Sequence, residues 1–310
     1  MHLRTVHGNH HHHGWNRDNQ PAVRVAPGSV LDLEVLEVTT GQLTPRSVAA
    51  DLLKIDNALA NPLTGPVAVD GAEPGDTLVV TIHGFMPSGW GWTGIIPSFG
   101  LLARDFTEPV LHHWHYSNIG KPTAFGDFAR VPLRPFPSTI GVAMAEAGTH
   151  GVMLARNNAG NINIRQLVEG GKLYIPVQVK DALFSVGDIH AAQGDGEVCG
   201  AAIESPMTVS LGFELVKKEN LVAPRITTPA IPQGWEGRDG YEITTGMETD
   251  LYAAARAAVS RMIDLLCRRH GLKATDAYML CSVAGDLRIS SAVIEPHWVV
   301  TFHLPRAVLC

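Results

Sequence analysis

The sequence predicts an α+β chain that is predominantly β, with a β-sandwich or jelly-roll-like core and an added α+β portion. Three observations carry this. Glycine and proline, 31 and 20 of 310 residues, fall between short apolar runs along the whole chain. Those runs alternate apolar and polar residues with the period of a half-buried strand. Helical periodicity is confined to the C-terminal part, so alternating βαβ units are not expected.

In chain order, residues 30–38 alternate Leu31, Leu33 and Val35 against Asp32 and Glu34, after a Pro27-Gly28 turn. Residues 77–82 follow the similar turn Pro74-Gly75 and read as a second strand. From about residue 85 to 143 the character changes. Trp90, Trp92, many prolines and little periodicity predict a long irregular insertion. Residues 172–179 and 182–186 read as strands, the latter ending at Gly187. The cleanest alternation spans 207–215, with Met207, Val209, Leu211, Phe213 and Leu215 on one face. A helix then starts at Thr249 as cap, repeats Leu251, Ala255, Ala258, Val259, Met262 and Leu266, and stops at Gly271 after Arg268, Arg269 and His270. A second helix is expected over 275–284 and a last strand over 298–304. The expected organisation is a β core over 1–215 and an α+β portion over 216–310 packed on it.

Composition excludes several functions. Lys and Arg number 24 against 30 Asp and Glu, a formal charge of −6, so no basic excess faces nucleic acid. No apolar run of about 18 residues exists to cross a bilayer, and no membrane is expected. Cys199, Cys267, Cys281 and Cys310 form no CxxC pair and no disulfide framework, which points to a reducing cytoplasm. The GxGxxG match at 89–94 runs into Ile95-Ile-Pro97, which cannot open the helix of a dinucleotide site, and phosphate-loop and GxSxG motifs are absent.

The densest chemistry lies between Asp188 and Cys199. Asp188 and His190, two apart at a strand end, project to one side and can share a metal ion. Asp195 and Glu197 repeat that spacing between glycines. An acidic surface turn is the competing reading, opposed by the apolar neighbours Ala191, Ala192 and Val198. The histidine run 10–13 reads as native sequence or a tag; it flows into Gly14-Trp15 without a linker, and His12 or His13 would add a ligand. Asp70, at a strand end before Gly71, and Glu204, after residues 199–203, are further carboxylates. His112, His113 and His115 are expected to form hydrogen bonds and not to bind metal.

These segments resemble one family over nearly the whole chain. His12-His13-Gly14-Trp15, residues 61–76, Gly89-Trp90-Gly91-Trp92, Asn161 to Arg165, Leu173 to Val177, and above all residues 183–200 are similar to the acetamidase/formamidase family. The resemblance implies a hydrolase of short linear amides such as formamide or acetamide, self-association into a homodimer or larger assembly, and a divalent metal, with zinc the usual proposal. The chain departs from the family pattern at Gly160-Asn161-Ile162-Asn163, where an aspartate is common.

Together these readings place the metal on His12, Asp188 and His190. Glu197 moves the proton, Asp70 orients a ligand or the leaving amine, and Asn157 and Gln193 bind the amide. Trp90 and Trp92 would wall a small pocket. Two alternatives stand beside this: an amidase with Cys199 as nucleophile, and a noncatalytic β-sandwich that binds a metal or small ligand.

Overall fold

Two sheets close on one apolar layer, as the period-two patterns require. The computed structural model describes residues 4–127, 129–230, 239–274, 277, 281 and 285–309. The larger sheet has nine strands in the order Arg4–Val6, Val30–Val35, Met207–Val216, Thr77–Pro87, Lys172–Pro176, Arg225–Thr227, Tyr241–Glu248, Trp298–Pro305 and Asp286–Ser291. The smaller runs Ala159–Asn161, Phe136–Val142, Phe184–His190, Leu63–Val69 and His11–His12, with Val23–Val25 joined parallel to Leu63–Val69. Leu31, Leu33, Val80, Leu211 and Phe213 of the first sheet meet Val67, Ile140, Phe184 and Val186 of the second in one core. The Phe184 and Phe213 rings bridge it edge to face, 5.1 Å apart.

The insertion expected to be irregular carries more order than its sequence suggested. Trp90–Ile95 pairs with Val110–His115, Thr123–Phe125 with Ala129–Val131, and Phe136–Val142 enters the smaller sheet beside Phe184–His190. Glycines alternating with tryptophans hide the strand over 90–95, because the polar half of the usual pattern is missing.

The helix Leu251–His270 lies on the C-terminal strands, burying Ala254, Ala258, Met262 and Leu266 beside Val300, Phe302 and Leu304. Its cap is Asp250 and not Thr249: the Asp250 carboxylate accepts the Ala253 N–H at 2.7 Å. Gly271 ends it in the left-handed region, as expected. Helix and sheet approach closely at Gly246, where a Cβ would stand 1.9 Å from the Ala254 carbonyl oxygen. The second expected helix falls largely outside the described residues; Ala277 and Cys281 pack on the first helix. Among the described residues no helix is long and apolar enough to cross a membrane.

Candidate active site

The site begins with a break in alternation. Along Phe184–His190, Phe184 and Val186 face the core, and so does Ile189 three residues on. The shift occurs at Asp188, whose φ of +50° is a conformation that aspartate tolerates better than most residues. Asp188 and His190 are thereby directed away from the core. Ser138, on the adjoining strand, fastens the bend: its hydroxyl lies 2.7 Å from Asp188 Oδ2 and 2.8 Å from the Asp188 carbonyl oxygen. Gly187 allows the chain past Pro62, whose carbonyl oxygen would lie 2.2 Å from a Cβ at that position.

His190 is 1% exposed and stands at the centre. Its Nδ1 donates to Gln193 Oε1 at 2.7 Å, and Gln193 is oriented in turn by donating Nε2–H to the Asn163 carbonyl oxygen at 3.2 Å. The remaining nitrogen, Nε2, faces three carboxylates: Glu204 Oε2 at 3.1 Å, Asp188 Oδ2 at 3.2 Å and Glu197 Oε1 at 3.9 Å. Glu204 arrives through single bridges to Trp92 and to His190, so a residue 14 positions downstream closes the site. Its other oxygen accepts the Ala202 N–H at 2.7 Å. Glu197, also buried, has a φ of +49°, rare for a residue without local hydrogen-bonding capacity.

Burial and mutual charge set the protonation of this group. Burial pushes Glu197 up to about 7, with His190 opposing and the Asp188 charge adding to the rise. Burial likewise lifts Glu204 well above the usual carboxylate range. For Asp188 burial acts upward too, yet His190 and the hydrogen bonds around the carboxylate prevail and hold it at about 2. Burial works to lower His190, but Glu204 and Asp188 override it and keep the imidazole well above its ordinary value.

Three buried carboxylates around one imidazole need either protons or a cation to balance them. Ligand atoms of Asp188, His190 and Glu204 all lie within 4.8 Å of one another. Asp188 Oδ1 is buried without a hydrogen-bond partner among the described residues, an acceptor left for a donor or a metal ion. Nδ1 of His190 is committed to Gln193, which frees Nε2 as a ligand once deprotonated. The donor set, one imidazole and two or three carboxylates, therefore fits a divalent ion.

A cavity of about 540 Å³ opens onto Asp188, Glu197 and Glu204 and is walled by Trp92, Phe99, Ile96 and Asn161. Of the residues expected from sequence, Asp188, His190, Glu197 and Gln193 come together here, Gln193 against the imidazole. Three others have their polar atoms engaged elsewhere. His12 spends both ring nitrogens, on Gly14 O at 2.9 Å and Ser185 Oγ at 2.9 Å. Asp70 is half-exposed and paired with Arg24 at 3.0 Å. Asn157 is exposed and accepts from Gln178 at 3.0 Å. Glu204 stands where His12 was expected, and Asn161 lines the cavity in place of Asn157. Trp92 is a wall, whereas Trp90 donates to His113 Nδ1 at 3.1 Å. Burial, with Glu197 and Glu204 nearby, pushes the Cys199 thiol up, away from the thiolate a nucleophile needs.

Comparisons with known proteins bear on the fold and the family. A family model described as the acetamidase/formamidase family matches residues 3–148 and 142–309. A formamidase of Methylophilus methylotrophus is 28% identical over 96% of this chain and 89% of its own length. An acetamidase of Mycolicibacterium smegmatis is 28% identical over 66% of each chain, so about two thirds of that protein is spanned. The solved acetamidase from Bacillus halodurans superposes with a TM-score of 0.89 at 26% identity, covering 98% of both chains.

Proposed function

The chain belongs to the acetamidase/formamidase family, a family of amidohydrolases, and on that premise we propose that it hydrolyses the C–N bond of a linear amide, the reaction typified by formamide and acetamide, to carboxylate and ammonia by a metal-activated water. The observation that carries the reading is the buried Asp188–His190–Glu204 cluster, with its orphaned Asp188 Oδ1, beside a cavity that Asp188 and Glu204 line.

Hydrolysis of an unactivated amide needs a nucleophile at neutral pH, a place for negative charge on the carbonyl oxygen, and a proton for the departing nitrogen. A divalent ion, zinc in this proposal, held by Asp188, His190 and Glu204 would supply the first two by acidifying water and polarising the carbonyl. Glu197 supplies the third. With a carboxyl lifted to about 7, it takes a proton from the attacking water and returns it to nitrogen as the C–N bond breaks. Gln193 keeps the imidazole in one tautomer, and Ser138 keeps Asp188 in its bend. Asn161, on the cavity wall, would hydrogen-bond the amide through the amide capacity left over from its bonds to Thr139 and Met153.

The thiol alternative is disfavoured because the Cys199 thiol is raised and its Sγ is 3.2 Å from the Ala201 carbonyl oxygen. Free Cys199, Cys267 and Cys281 support a cytoplasmic setting, and exposed Leu53, Leu101, Leu102 and Phe106 support assembly into a homodimer or larger. The test is ammonia release from acetamide and formamide by protein stripped with a chelator and then reloaded with zinc. Activity restored only on reloading supports the proposal; full activity in stripped protein whose Cys199→Ser variant is dead would replace it with thiol catalysis.

A further inference from the structure

The cavity is far larger than formamide or acetamide requires. Formamide takes about the space of two waters, ~60 Å³ at the ~30 Å³ of each in the liquid, against about 540 Å³ here. The carboxylates of Asp188, Glu197 and Glu204 border the space, and the remaining lining is mainly apolar, including Leu52, Ile55, Ile96, Phe99 and Ile294, with Asn57, Asn61 and Asn161 among its polar members. Most of the lining is apolar, so an apolar group of matching size displaces water from it favourably.

The chamber is held open. Trp92, 1% exposed, donates its indole N–H to Glu37 Oε2 at 3.0 Å. Glu37 is itself buried and fixed by the Thr39 N–H at 3.0 Å, the Thr39 hydroxyl at 2.6 Å and the Gly41 N–H at 2.7 Å. A wall anchored this way does not collapse onto a small substrate, and formamide or acetamide would leave most of the chamber wet.

We propose that the preferred substrate is a primary amide with a bulky apolar acyl group, branched or aromatic and of roughly six carbons or more, a size suited to pockets of several hundred Å³. Its carboxamide sits against Asp188, Glu197 and Glu204, and its acyl group fills the space beside Leu52, Ile55, Ile96 and Ile294. This rests on the amidohydrolase reading and names its substrate class.

The test measures kcat/KM by ammonia release for formamide, acetamide, hexanamide and phenylacetamide with metal-loaded protein. Phenylacetamide is expected to exceed acetamide at least tenfold, with hexanamide between them. Ile96→Trp, which fills part of the cavity, is expected to cut the phenylacetamide-to-acetamide ratio at least tenfold. Turnover of the small amides with phenylacetamide no faster than acetamide overturns the inference and leaves amide hydrolysis standing. Turnover of no amide overturns both.

Discussion

In the proposed mechanism Glu197 is the residue on which the proton chemistry turns, and it is held in a strained backbone conformation with its carboxyl lifted by burial to about 7. Glu197→Gln keeps the shape and removes the titrating group. It is expected to lower kcat by ~10²–10⁴ while metal content by elemental analysis stays unchanged. Gln193 acts one step further out, through the imidazole. Gln193→Ala is expected to weaken zinc binding by roughly 10–100-fold in a competition titration, with Gln193→Glu restoring most of it. Protonation of the cluster gives a third expectation. Without a cation, burial raises Glu204 and Glu197 while the carboxylates raise His190, so the group carries protons near neutral pH. Adding zinc to stripped protein at pH 7 in weak buffer should release at least about one proton per chain, because ligands must be deprotonated; an unchanged pH would contradict the ligand assignment.

Among the elements, the strand Phe184–His190 shows what sequence could and could not reveal. The two-residue spacing of Asp188 and His190 pointed to a shared ligand, and the structure does bring them together, but through the bend at Asp188 and not by simple alternation. Glu204 stood out only as a carboxylate, because its place depends on bridges to Trp92 and His190 that leave no periodic trace. His12 misled for the opposite reason: a histidine run resembles a ligand set, while its ring contacts are with Ser185 and Gly14. Strand 207–215 and the main helix were legible because each has one face buried, and strand 298–304 because it is a short, mostly apolar run buried on both faces. The helix rests on Gly246, where any side chain meets backbone. Gly246→Ala is expected to destabilise the protein by about 3 kcal/mol, the upper end for overpacking, as read from urea unfolding.

At the scale of the whole molecule, the apolar layer between the sheets was readable from alternation, whereas the pairing order of the nine-stranded sheet was not. Its pairings of Met207–Val216 with Val30–Val35 and with Thr77–Pro87 join residues far apart in sequence, and that information lies in long-range packing. The joined sheet also buries His303. Burial, reinforced by the Arg288 charge, lowers its imidazole to about 4. Between that value and its ordinary 6.5 the unfolded chain binds a proton that the folded one does not. Stability is therefore complete above about pH 6.5 and falls as pH drops toward 4, by up to about 3 kcal/mol. His303→Gln should flatten that part of the melting-temperature profile between pH 7 and pH 4.5.

In the proposed mechanism all of the chemistry depends on one cation shared by side chains from a bent strand and from the segment that closes over it. The most direct measurement is the metal-to-chain ratio and ammonia turnover on the same preparations of the wild type, His190→Ala and Glu204→Gln. The account predicts about one tightly held divalent ion per chain in the wild type, as a catalytic centre of this kind carries, with ion and turnover lost together in both variants. Variants that lose the ion yet keep wild-type turnover would contradict it.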